Sequence, residues 1–157
     1  MGRLFPRQFD NDYRGLRTGL WLLVAVLALK ALQGANSMFD PVRIMTSADG
    51  IAVQTYPPEI AATAIQMFAL LGLWLLVLPL IGIVALIRYR AMIPFVYLML
   101  LFQQIGARAL HYVYPDDRAA GTPIGVFVNL AILGVTVLGF ALSLIPRARA
   151  AATAGAE

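Results

Sequence analysis

The sequence contains four apolar stretches, and each is about as long as the roughly 20 residues that a helix needs to cross a bilayer. They cover residues 14–36, 59–87, 91–112 and 122–145. With 61% hydrophobic and only 13% charged residues, the composition also lies far from that of a soluble globular domain. The sequence therefore predicts an all-α integral membrane protein, folded as a bundle of four transmembrane helices.

Arginines next to these stretches predict how the protein is oriented. They occur in residues 3–17, in the "RYR" turn at 88–90 and in residues 147–149. Because cytoplasmic loops carry an excess of Lys and Arg, we expect both termini and this turn in the cytoplasm of a bacterial cell, with the protein in its inner membrane. A cleaved secretory signal in the first span is disfavoured, since Gln33 stands where a small residue would be needed.

The predicted organisation has three parts. Residues 1–13 form a cytoplasmic interfacial segment, residues 14–146 the four-helix membrane domain, and residues 147–157 a disordered cytoplasmic tail. The first outer loop leaves two interpretations open. Its "VRIMT" and "IAVQTY" runs, separated by "SADG", are typical of a small β-hairpin, but an irregular loop lying on the bundle explains the same pattern.

Composition excludes several kinds of site. The chain has no cysteine and a single histidine, so disulfides, thiolate metal sites, bis-histidine haem ligation and multi-histidine metal centres are ruled out. We expect no metal and no cofactor. The net charge of +4 comes from arginines at the ends of apolar stretches, where they orient a membrane protein, and so it does not indicate nucleic-acid binding.

Every predicted span carries polar residues along one helix face. The four sets are Lys30, Gln33 and Ser37; Glu59, Thr63 and Gln66; Gln104, Arg108 and His111; and Thr122, Gly125 and Asn129. Under the predicted orientation all four lie at matching depth in the outer half of the bilayer. A polar group that faces hydrocarbon without a partner costs several kcal/mol, so we expect the four faces to meet in a polar cavity that opens outward.

The inner half is predicted to be an apolar floor. Its only hydroxyls belong to Tyr97, Thr136 and Ser143, and it contains no acidic residue, which disfavours both a continuous pore and a proton relay. Three glycines in the spans are expected to permit close helix packing rather than hinge motion. They are Gly82, Gly134 and Gly139.

Eight residues are the candidates for binding a ligand. They are Lys30, Gln33, Glu59, Gln66, Gln104, Arg108, His111 and Asn129. Lys30 and Arg108 supply two positive charges against the single acid Glu59, a balance that suits a lipid phosphate, a carboxylate or a quinone carbonyl. The structural alternative is that Lys30 pairs with Glu59, and that Arg108 and His111 anchor the helix at the interface or pair with Asp116 or Glu59.

These patterns favour a non-catalytic binding protein or accessory subunit, whose partners would be a membrane lipid, a quinone-like or anionic ligand, or a larger membrane complex. A homo-oligomeric transporter is an alternative. A membrane enzyme is a second one, although no motif of the GxSxG type surrounds Ser37 and we assign no catalytic residue.

The arrangement also resembles the DoxX-like group of small bacterial membrane proteins and their uncharacterised four-helix relatives. The residues that carry the resemblance are "LALKALQGANSMFDP" in the first span and Pro94 at the start of the third. The resemblance covers the topology of residues 14–146. It implies a four-helix membrane fold and little about activity, because many members of that group have none assigned.

Overall fold

The computed structural model describes residue 4 and residues 10–114 and 123–146, and this part of the chain is helical with no strand. Its α-helices are α1 (Arg17–Phe39), α2 (Pro41–Ser47), α3 (Pro58–Arg88), α4 (Ile93–Val113) and α5 (Ile124–Leu144). Two short 3-10 turns, Val53–Thr55 and Arg90–Met92, precede α3 and α4. Most of the predicted interfacial segment 1–13 and the whole predicted tail 147–157 lie outside the described residues.

The prediction of four helices able to cross a membrane is confirmed. α1, α3, α4 with its preceding turn, and α5 are all long and apolar enough to do so. Each long helix begins and ends within three residues of a predicted span. Few residues of α3 and α5 are buried, and Trp74, Leu80, Phe127 and Leu138 are more than half exposed. Such outward apolar surfaces match a lipid environment.

Among the four long helices, α1 makes the most extensive contacts. It contacts α3 and α5 along its length, while α4 packs against α5 and, less extensively, against α3. The core lies in the half of the bundle that contains the Tyr89–Met92 turn, and its buried side chains come from all four long helices. They are Leu23, Val26, Leu27, Ala85, Ile93, Val96, Tyr97, Leu100 and Ile132.

Close helix contacts occur at particular glycines. A Cβ on Gly72 would meet the backbone of Ser37 and Met38, and one on Gly82 would meet the Leu27 side chain, so α1 and α3 approach closely at both. Gly139 receives the Tyr97 ring in the same way. The packing role predicted for Gly82 and Gly139 is therefore confirmed. For Gly134 it is wrong, since this residue is exposed and an added Cβ would meet no atom within 4 Å.

The first loop is helical, and the hairpin prediction is wrong. Asp40 caps α2 by accepting from the backbone N–H of Arg43 at 3.4 Å, and its carboxylate also accepts from Arg43 Nε at 2.7 Å. Pro41 occupies the first helical turn, where a missing N–H costs little. The sequence "DPVR" therefore carried a helix-start signal. It outweighed the β propensity of Val42 and Ile44.

This loop is bonded to the bundle at the start of α5. The backbone N–H of Gly125 donates to the carbonyl of Ala48 at 3.0 Å, while α2 packs on α1 and α3. Gly50 has a φ of 71°, a left-handed conformation that suits glycine and turns the chain after α2. The loop thus covers the ends of α1, α3 and α5 together.

At the opposite end, residues 10–16 run across the bundle before α1 begins. The carbonyl of Asp10 accepts from Ala91 N–H at 3.3 Å, and Leu16 N–H donates to the carbonyl of Leu142 at 3.2 Å. Tyr13 lies between these bonds with its hydroxyl close to Gly15 and Gly19. Burial raises the pKa of Tyr13 to about 12.

Candidate functional site

The candidate site lies near the first-loop end of the bundle, which is the end where α1 and α4 stop and α3 and α5 start. At about 1.5 Å of rise per residue, Gln33, Arg108 and Asn129 are each about 8–9 Å from that end of their own helices. The backbone of Lys30 is deeper by about one turn, roughly 14 Å from the end of α1. Its side chain reaches back to the level of Asn129, because the two are hydrogen-bonded.

Three of the predicted site residues form one hydrogen-bonded group between α1 and α5. Lys30 Nζ donates to Asn129 Oδ1 at 3.5 Å, and Gln33 Nε2 donates to the same oxygen at 3.3 Å. Arg108 lies one turn beyond Gln104 on α4, and Gln104 is bonded to Thr136 on α5, so the antiparallel packing of these two helices places Arg108 at the level of Asn129. We call Lys30, Gln33, Arg108 and Asn129 the polar cluster. Helices α1, α4 and α5 bring it together.

The polar cluster contains two cations and no anion. Lys30 is only 6% exposed, and Arg108 is half-buried. The ion pairs within the described residues belong to Arg14 and Arg43, so neither Lys30 nor Arg108 has a described carboxylate within 4.0 Å. The predicted Lys30–Glu59 pair is therefore wrong. Asp116 lies outside the described residues, and its pairing with Arg108 stays a prediction.

Gln104 is buried as expected, but it belongs to a different contact. Its Nε2 donates to Thr136 Oγ1 at 3.0 Å and to the carbonyl of Leu100 at 3.3 Å, and Thr136 donates in turn to the carbonyl of Ile132 at 2.6 Å. Gln104 Oε1 is buried, and no donor in the described part of the chain reaches it. Gln104 and Thr136 thus join α4 to α5 one level deeper than the polar cluster.

The polar face of α3 does not take part in the site, which corrects the prediction of four converging faces. Glu59, Thr63 and Gln66 are exposed. The reason is that α3 turns the face of Gly72 toward α1, because the two helices approach closely there. Ile65 shares the face of Gly72, and Gln66 is rotated by about 100° from Ile65, so Gln66 points away from α1. His111 is likewise exposed, one turn beyond Arg108 at the end of α4.

The last third of α4 is packed much less than its beginning. From Ile105 to Tyr114 every residue is exposed except Gly106 and Arg108, whereas most of residues 93–104 are buried or half-buried. A Cβ on Gly106 would meet no atom within 4 Å. Arg108 therefore sits where α4 separates from the rest of the bundle, and one side of the polar cluster is more open than the others.

The hydroxyls of the predicted apolar floor point inward. Tyr97 is fully buried and donates to the carbonyl of Gly19 at 2.6 Å, and Ser143 donates to the carbonyl of Phe140 at 2.7 Å. The heptad spacing of Asn129, Thr136 and Ser143 on α5, and of Tyr97 and Gln104 on α4, is the sequence signal for these buried contacts. The Tyr97 bond joins α4 to α1, whereas the Ser143 bond lies within α5.

Comparison with protein-family models, with curated proteins and with solved structures finds no match to this chain. The resemblance to DoxX-like proteins therefore stays a prediction. The distinguishing property of the polar cluster is that it holds two cations, one of them almost fully buried, without a described counter-charge.

Proposed function

We propose that this protein is a multi-pass protein of the bacterial inner membrane, with both termini in the cytoplasm, and that it binds an oxyanion at the polar cluster. It would act as a non-catalytic binding protein or accessory subunit. One observation carries the proposal: Lys30 and Arg108 both lie at the level of Asn129, and neither has a described carboxylate as an ion-pair partner. An unpaired cation inside a membrane domain is costly, and intramembrane charges typically mark binding or transport sites.

The hydrogen-bonding capacity of the polar cluster favours a ligand with several acceptor oxygens. An ammonium has three N–H donors and a guanidinium has five. Of these eight, a single one, from Lys30 to Asn129, has an acceptor among the side chains described. A quinone carbonyl would satisfy a small share of the remainder. A phosphate or carboxylate, with two or more charged oxygens, would satisfy more of them and would also offset the charge.

The direct test is anion-dependent stability of the purified protein in a neutral detergent. Inorganic phosphate or sulfate at constant ionic strength should raise the midpoint of thermal unfolding above its value in chloride. At a concentration 100 times the Kd, binding stabilises a protein by about 2.7 kcal/mol, which is a shift of roughly 5–10 °C for a chain of this size. Arg108→Gln, which removes the charge from the open side, should abolish most of this shift.

Arg88→Gln is the matched control, because Arg88 is exposed and lies at the other end of the bundle. It removes one positive charge and should keep the full response to phosphate. Equal shifts in the wild type and in Arg108→Gln would contradict the proposal, since the anion would then act elsewhere on the protein.

The proposed orientation has its own test, which the absence of cysteine makes simple. Ala52→Cys places a thiol at an exposed position of the first loop, and Arg88→Cys places one at the end of α3. In intact spheroplasts a membrane-impermeant maleimide should label the first variant and spare the second until the cells are lysed. The reverse labelling pattern would contradict the orientation.

A further inference from the structure

The polar cluster is covered on some sides and open on one. Next to it, the first loop lies over α1 and α3 and is bonded to α5 through Ala48 and Gly125. The open side is formed by the last third of α4, where Arg108 is half-buried and its neighbours along the helix are exposed. A ligand that reaches Arg108 from this side therefore moves laterally within the membrane and meets α4 first.

The surface beside this opening is apolar. Ile105, Leu110 and Val113 are 55%, 62% and 62% exposed, and Tyr112 and Tyr114 at the end of the helix are more exposed still. Tyrosines of this kind are typical of the level of the lipid headgroups. Two cationic side chains without a described counter-charge thus lie beside an exposed apolar surface that is suited to contact with lipid acyl chains.

Resting on the proposed function, we infer that the oxyanion is the phosphate of an anionic phospholipid, held between Lys30 and Arg108 with its acyl chains along the exposed apolar side of α4. Charge complementarity selects an anionic lipid over a zwitterionic one, because the polar cluster supplies two cations and no described carboxylate. A zwitterionic headgroup would bring a third cation to the same place.

Depth agrees with this ligand. Gln33, Arg108 and Asn129 lie about 8–9 Å below their helix ends, which places the polar cluster just inside the hydrocarbon boundary of a bilayer about 30 Å thick. Long Lys and Arg side chains extend toward the interface and draw phosphates inward by local thinning. A lipid reaches this level without leaving the membrane, whereas a soluble anion must pass the first loop.

The test uses the whole protein in nanodiscs made from equal amounts of phosphatidylglycerol and phosphatidylcholine, followed by native mass spectrometry of the released protein. The wild type should retain one phosphatidylglycerol in preference to phosphatidylcholine. Each cation near a phosphate is worth about five-fold in affinity, so Lys30→Gln and Arg108→Gln should each lower the ratio of the two lipids about five-fold. Arg88→Gln should leave the ratio unchanged.

The outcomes separate this inference from the proposed function. If phosphatidylglycerol is not preferred, or is retained equally by all variants, the lipid inference is overturned. If phosphate or sulfate still stabilises the wild type and not Arg108→Gln, the oxyanion site stands with a soluble ligand. If neither the lipid nor the soluble anions depend on Lys30 and Arg108, both proposals fail.

Discussion

Replacing Lys30 with methionine should stabilise the ligand-free protein, although it removes a hydrogen bond. Methionine fills a similar volume and brings no charge into a position that is 6% exposed. The lost bond is long, at 3.5 Å, and its acceptor on Asn129 keeps the Gln33 donor at 3.3 Å. An interhelical hydrogen bond in a membrane protein contributes about 0.6 kcal/mol on average, so the loss is small.

Removing the charge should change the free energy of unfolding more than losing that hydrogen bond does. Desolvating an ion inside a protein costs several kcal/mol, and replacing buried ionic groups with apolar ones is often stabilising by about 1–4 kcal/mol. After the lost hydrogen bond is subtracted, we expect a net gain of about 0.4–3.4 kcal/mol, which would raise the unfolding midpoint by roughly 1–14 °C.

The assay is thermal unfolding of delipidated Lys30→Met in neutral detergent, followed by circular dichroism, with Lys30→Gln as a companion that keeps a donor without the charge. Both variants should be at least as stable as the wild type without ligand, and both should lose the stabilisation by phosphate. A loss of more than about 1 kcal/mol in both would refute the reasoning, because the charge would then be compensated within the protein, as a buried pair is.

Three further predictions concern the fold that holds the site. Gly72→Ala should destabilise the protein by about 1–3 kcal/mol in the same unfolding assay, because its Cβ would meet the α1 backbone. Gly106→Ala has open space around it and should be neutral or stabilising by up to about 1 kcal/mol. Tyr97→Phe should cost about 1 kcal/mol by removing the 2.6 Å bond to the Gly19 carbonyl. The difference between the absorbance titrations of the wild type and Tyr13→Phe should show Tyr13 ionising near pH 12, because burial raises its pKa. The contribution of Tyr13 to stability is then complete below about pH 10 and is lost as the pH rises to 12, and ionisation at pH 10 would contradict its burial.

The sequence predicted the four long helices well because length and hydropathy alone determine whether a helix can cross a membrane. It also predicted that Lys30, Gln33 and Asn129 come close together, since they occupy matching faces and depths on α1 and α5. Helix rotation is harder to predict. The rotation of α3 depends on the contact of Gly72 with the α1 backbone, which is a tertiary property.

The first loop was mispredicted for a different physical reason. The β propensity of Val42 and Ile44 was weighed, but the capping chemistry of Asp40 and Pro41 was not. A cap and a proline in the first turn together favour a helix start more strongly than two β-branched residues oppose it. The partner of Gln104 was also missed, because the Thr136 hydroxyl was assigned to an apolar floor and not to a helix contact.

The most direct test of the central claim is to locate an anion by its anomalous scattering. Crystals of the wild-type protein grown in a lipidic mesophase and soaked in selenate, an analogue of sulfate, should show an anomalous peak between Lys30 Nζ and the Arg108 guanidinium, within about 4 Å of both. The absence of a peak there, with a carboxylate such as that of Glu59 or Asp116 against either cation, would contradict the account. The two charges would then stabilise the fold by internal pairing and bind no ligand.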